Sequence, residues 1–91
     1  MSRLSAFLHR IMDRYDHVFE DVRDNVIEPI VEEIKAAGGR MTTDEQRRDI
    51  CKRVIKEYIA LKYPGYSWVV NRIVDSIFLL VRAELKKRRV G

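Results

Sequence analysis

The sequence is poor in the residues that build tight turns, crosslinks and membrane spans. Its 91 residues include one cysteine, two prolines and four glycines. A single cysteine, Cys51, excludes an intrachain disulfide, and a reducing compartment suits it. So little Gly and Pro argues against the many turns of an all-β domain, while 46% hydrophobic content argues against a disordered chain. The sequence holds no glycine-rich phosphate loop, no cysteine pair and no serine set in a nucleophile turn. Long apolar runs are missing too. The most apolar segment, residues 68–81, is interrupted by Asn71, Arg72 and Asp75, which makes it too short and too charged to cross a bilayer. Arg3, His9 and Arg10 break the first residues in the same way, so no signal peptide is expected. The expectation is one domain over 1–91, without a membrane span, in the cytoplasm or within a larger particle.

Charge, by contrast, is plentiful and unevenly placed. The net charge of +4 hides two unlike halves: residues 1–36 carry five Lys/Arg and eight Asp/Glu, residues 37–91 thirteen and six. The halves should attract each other, within one chain or between chains. A domain this small buries a modest share of its surface, so partner chains would help it.

Apolar residues at 4, 7, 8, 11, 12, 15, 18, 19, 22, 26, 27, 30, 31 and 34 step by threes and fours, the stripe of a long α-helix. Pro29 cannot donate to the Asn25 carbonyl and crowds it, so a kink is expected there. Gly38 and Gly39 should end this first helix. In "MTTDEQ", Thr42 with Glu45 or Thr43 with Gln46 forms a capping box that starts a second. Its apolar face comprises Ile50, Val54, Ile55, Tyr58, Ile59 and Leu61. Pro64-Gly65 is a turn pair, and Ser67 would cap a third helix. Tyr63, Tyr66 and Trp68 are expected to cover the end of the core at this corner. The third helix is apolar at 68, 69, 70, 73, 74, 77, 78, 79, 80, 81 and 85, more than one stripe, which predicts a central position or a second covered face. The fold class is therefore all-α: three helices over about 3–37, 43–62 and 67–88, the first long and Pro-kinked, the third apolar and central.

Candidates for chemistry are few. His9, Asp13 and His17 share a helix face at i, i+4, i+8, but a solvated face is the simpler reading, and no metal or cofactor is expected. Cys51 has Lys52 and Arg53 beside it, yet adjacent residues on a helix point apart, so a buried, inert thiol is expected. No catalytic set emerges, and the protein is not expected to be an enzyme.

Two modes of binding remain. The first is association with itself or another protein subunit. Helices of unequal length should leave apolar surface bare, giving Leu4, Phe7, Leu8 and Ile11, with Phe78 and Leu79 on the third helix, as contact residues. The second is nucleic-acid binding through Arg47, Arg48, Lys52 and Lys56, extended by Lys86, Lys87, Arg88 and Arg89, a strip suited to sequence-independent phosphate contacts. A helix-turn-helix is disfavoured, because a recognition helix opening Trp68-Val69-Val70 offers almost nothing to base edges.

Residues 20–85 run from an amphipathic helix through a glycine break, a polar capping segment, a helix ending in "LKYPGYS" and an apolar last helix. This order resembles the soluble helical part of small phage proteins of the long-loop holin kind. The resemblance implies a phage-encoded helical module, a structural or accessory component, that works by assembling.

Overall fold

The computed structural model describes residues 3–88, with side chains from residue 16 onward. Three helices make the fold: α1 (Arg3–Ala36), α2 (Asp44–Lys62) and α3 (Val70–Lys87), with 3₁₀ turns at Gly39–Met41 and Ser67–Val69. No strand occurs among the described residues.

The glycine pair ends α1 as its backbone requires. Gly38 has φ 129° and Gly39 φ 57°, left-handed values that favour glycine. The Gly39 carbonyl then anchors the turn. It accepts from the Thr42 N–H (3.1 Å), the Thr42 hydroxyl (2.6 Å) and an Arg47 guanidinium N–H (3.1 Å). The second of the two possible capping boxes is the one that forms. The Gln46 N–H donates to the Thr43 hydroxyl at 3.1 Å, and the Thr43 N–H donates to the Gln46 side-chain oxygen at 2.8 Å. Asp44 and Glu45 in the first turn add negative charge at the positive end of the α2 dipole.

At the second corner the Tyr66 N–H donates to the Tyr63 carbonyl at 3.1 Å. With Pro64 at its second place and Gly65, φ 95°, at its third, this has the signature of a type II turn. Ser67 does not cap α3. Its turn is 3₁₀ with no side-chain cap, and α3 starts at Val70.

Each helix contributes one stripe to the core. α1 buries Val18, Val22, Val26, Ile30, Val31 and Ile34; α2 buries Cys51, Ile55 and Ile59; α3 buries Val70, Ile73, Val74, Ile77, Phe78, Val81 and Leu85. Among the described residues the buried apolar side chains are all Val or Ile apart from Cys51, Phe78 and Leu85. Their branched side chains have few rotamers in a helix, so they give up helix propensity for a stiff core. α3 is not apolar all round in three dimensions. Val74 and Phe78 join its single buried stripe, while Leu79 and Leu80 lie outside it. Leu61 likewise falls off the α2 stripe: two residues past Ile59 is about 200° around a helix, and Leu61 is 87% exposed.

α2 runs antiparallel to α1, with Arg53 beside Glu33 and Lys62 beside Asp21, and α3 runs antiparallel to α2, with Asp44 and Arg47 grouped with Leu79, Arg82 and Lys86 at one end and Ile59 and Tyr63 with Ser67 and Val70 at the other. α1 continues unbroken through Pro29, which is exposed. Its 34 residues measure about 51 Å at 1.5 Å per residue, against about 28 Å for the 19 of α2. The molecule's longest extent, 53 Å, is thus the length of α1. The α2 end at Lys62 is level with Asp21, so residues 3–17 form an arm beyond the bundle.

Two substitutions test this frame. Proline in a helix interior costs about 3 kcal/mol relative to alanine. Pro29→Ala is therefore expected to raise the urea midpoint, and an unchanged or lower midpoint would show that proline's geometry is required there. Nothing lies within 4 Å of a Cβ placed on Gly65, so Gly65→Ala carries only the backbone cost of positive φ, about 1–2 kcal/mol. A variant as stable as the parent would show that the turn can change type.

Candidate functional site

The densest polar cluster joins α1 to the end of α2. Asp21, at the edge of the α1 stripe, accepts the Tyr63 hydroxyl at 2.5 Å, the Tyr58 hydroxyl at 3.0 Å and the Lys62 ammonium at 3.0 Å. Asn25, one turn on, donates to the same carboxylate at 2.8 Å. Lys62 also donates to the Tyr58 hydroxyl at 3.1 Å and lies over its ring. Tyr58 and Lys62 are one turn apart on α2, and Tyr63, just past its end with non-helical backbone (φ −131°, ψ 62°), reaches the same carboxylate from outside the helix.

These contacts push Asp21, Lys62 and Tyr63 further from titrating at neutral pH. The Tyr63 hydrogen bond, ahead of those from Lys62 and Tyr58, holds the Asp21 carboxyl below its ordinary value. Lys62 is raised by its hydrogen bonds to Tyr58 and Asp21, and Tyr63 is raised chiefly by the bond to Asp21. General acid–base catalysis needs a group poised near the working pH. In this cluster the acid stays ionised and the base stays protonated, which suits a fastening.

The basic residues of α2 and α3 divide into two sets. Arg48 pairs with Asp75 at 2.5 Å, Arg53 with Glu33, and Arg88 with both Glu28 and Glu84. The Arg88 guanidinium lowers the Glu28 carboxyl and is itself raised. Arg47 is committed to the α1–α2 turn, with its Nε donating to the Thr42 hydroxyl at 2.7 Å and its other N–H to Gly39. Lys52, Lys56, Lys86 and Lys87 are exposed and have no ion-pair partner among the described residues. Arg47 and Lys86 come together with Leu79 and Arg82 around an open cleft of about 410 Å³. Arg89 lies outside the described residues.

The apolar candidates also separate. Phe78, expected on a contact face, is 9% exposed and sits in the chain's own core with the Arg82 guanidinium over its ring. Position 78 shares the heptad spacing of the buried stripe, which decides its place. Leu79 is 64% exposed. The side chains of Leu4, Phe7, Leu8 and Ile11 lie outside the described ones, as do those of His9 and Asp13. Among the described residues no three metal-ligating side chains come together. Cys51 is fully buried, and burial pushes its thiol up to about 11.

Trp68 corrects the expectation of a covered lid. Tyr63 and Tyr66 do pack on the core, but Trp68 stacks on Tyr66 from outside, at 6.3 Å between rings, and stays 52% exposed. No protein-family model matches the chain, and no curated protein or solved structure does either. No helix among the described residues is long and apolar enough to cross a membrane.

Sequence reasoning did not single out Asp21. A signal was present: two tyrosines and a lysine end α2, and an acid flanks the α1 stripe.

The linkage has a definite sign. Because the folded Asp21 carboxyl lies below its ordinary 3.8, its contribution is full above that value and is lost as pH falls through the folded one. Asp21→Asn should lower the urea midpoint at neutral pH, and the gap to the parent should close in strong acid. Tyr63→Phe should raise the carbon-NMR titration midpoint of the Asp21 carboxyl. A gap independent of pH, or an unmoved titration, would show that Asp21 is not held by these donors.

Proposed function

We propose that the protein is a non-enzymatic helical association module that joins copies of itself or another protein subunit. The observation that carries this reading is the mismatch in helix length. α1 outruns α2 by some fifteen residues, and its apolar spacing continues to Leu4 without a break. Neither short helix is long enough to cover such a stripe, and surface of this kind ordinarily marks an interface. Half-exposed Trp68 adds to the available apolar area. The likeness to long-loop holins implies a phage structural or accessory setting for such assembly.

A second reading, a small basic protein that holds nucleic-acid phosphates, is favoured by Lys52, Lys56, Lys86 and Lys87, cations left without carboxylates among the described residues. Phosphate affinity falls steeply with salt, and an apolar contact does not.

Light scattering behind a sizing column, at low and high salt, separates the two. One chain weighs 10.8 kDa. The module should elute at a multiple of that mass at micromolar concentration in both salts. A single-chain mass at high micromolar concentration, with salt-sensitive retention of duplex DNA, would replace association by the second reading.

A further inference from the structure

The arm of α1 carries an apolar pattern that is its own mirror image. Apolar residues fall at 4, 7, 8, 11, 12 and 15. Reversed about the point between His9 and Arg10, the pattern returns onto itself: Leu4 falls opposite Tyr15, Phe7 opposite Met12, and Leu8 opposite Ile11. The same reversal sets Arg3 opposite Asp16, an exposed acid with no ion-pair partner among the described residues. It sets neither two acids nor two arginines against each other. Positions 4, 8, 11 and 15 alternate steps of four and three, the seam of a helix that packs lengthwise on another helix. They run in phase into Val18 and Val22, which are buried, so the seam is the outward continuation of the core stripe.

The other half of the surface lies at the foot of the arm. Contacts run from Asp21 to the Tyr63 hydroxyl, from Tyr63 to Tyr66 at 6.2 Å between rings, and from Tyr66 to half-exposed Trp68. The aromatic corner therefore stands at the end of the bundle from which the arm leaves.

We propose that two copies of this chain pair through their α1 arms, antiparallel about a two-fold axis between residues 9 and 10, with the tip of each arm reaching the Tyr66–Trp68 corner of the other copy. The proposal rests on the association reading and names its occupant. A two-fold contact must be self-complementary, with i facing j and j facing i, and a palindromic pattern meets that condition. The overlap also brings the first turn of one arm level with residue 16 of the other, one turn from Glu20 and Asp21 and thus beside the corner. Trp68 gains cover there that its own chain does not supply.

Trp68 is the only tryptophan, so its emission reports on this contact alone. Sedimentation equilibrium and Trp68 fluorescence are followed together as the whole chain is diluted. The expected result is a two-chain mass that halves on dilution while the emission moves to the red in step. Ile11→Lys should give a single-chain mass and red emission at every concentration, with the thermal transition of the bundle retained. Leu79→Lys, on the α3 surface, should leave mass and emission as in the parent. A parent that is a single chain throughout overturns both the pairing and the association reading. A parent that assembles with Trp68 emission unmoved, or one separated by Leu79→Lys but not by Ile11→Lys, overturns the antiparallel pairing alone.

Discussion

Asp21 fixes the register of the long helix against the rest of the fold. The α1 stripe repeats nearly every four residues through Val18, Val22, Val26, Ile30 and Ile34, and one turn of it looks much like the next. Apolar packing is non-directional and would tolerate a slip of α1 by a turn. A carboxylate that accepts two tyrosine hydroxyls and an ammonium from the last turns of α2 does not. Slipping would strand Asp21 and both hydroxyls at the edge of the core without partners, and unpaired polar groups there are costly. Glu33 with Arg53 and Glu28 with Arg88 agree with the same register from further along the helix. As exposed pairs they add little strength, but they discriminate against misalignment.

With the register set, the surplus length of α1 has only one place to go. Its far end is closed by the Gly38–Gly39 turn, where the Gly39 carbonyl, Thr42 and Arg47 bind one another. All the unmatched residues therefore leave the bundle beside Asp21. The attraction between an acidic first half and a basic remainder, evident from composition, is met in part inside the chain: Glu33, Asp21 and Glu28 each hold a cation from α2 or from the end of α3. That leaves less unspent charge to hold chains together than the totals suggest, and it shifts the weight of any association onto apolar surface.

The sequence carries the architecture in features that depend on neighbours in the chain. Three helices, the Thr43–Gln46 box, the glycine stop and the Pro64-Gly65 turn are set by spacing and by local backbone chemistry, and each is where the pattern puts it apart from the start of α3, which lies at Val70 rather than Ser67. What spacing cannot resolve is which side of a broad apolar surface meets another helix. α3 offers two adjacent faces; the face with Phe78 turns inward and Leu79 outward, a choice made by α1 and α2. Trp68 misleads for a related reason. Large aromatics are usually covered, but the place over the core end is already filled by Tyr63 and Tyr66, and Trp68 is left to stack on their outer side. Asp21 was hidden because its partners lie 37 to 42 residues away, and a long-range polar contact has no sequence period.

The basic strip shows how a linear pattern changes meaning once folded. Arg47, Arg48, Lys52 and Lys56 follow one another on α2 as a row of cations, yet the guanidinium groups and the ammonium groups meet different fates. Arg47 and Arg48 are consumed by a backbone carbonyl and by Asp75, and Arg53 and Arg88 by carboxylates of α1. The forked guanidinium can satisfy several acceptors at fixed angles, which suits it to fasten helices. The lysines at 52, 56, 86 and 87 stay in solvent. A compact, strongly hydrated charge on a flexible stem keeps a surface soluble and mutually repelling without fixing geometry. Lysine charge on the α2–α3 surface would repel a like surface, while the sequence of the α1 arm carries the long uninterrupted apolar spacing. For the pairing proposed above, electrostatics and packing both favour the arm over the α2–α3 surface.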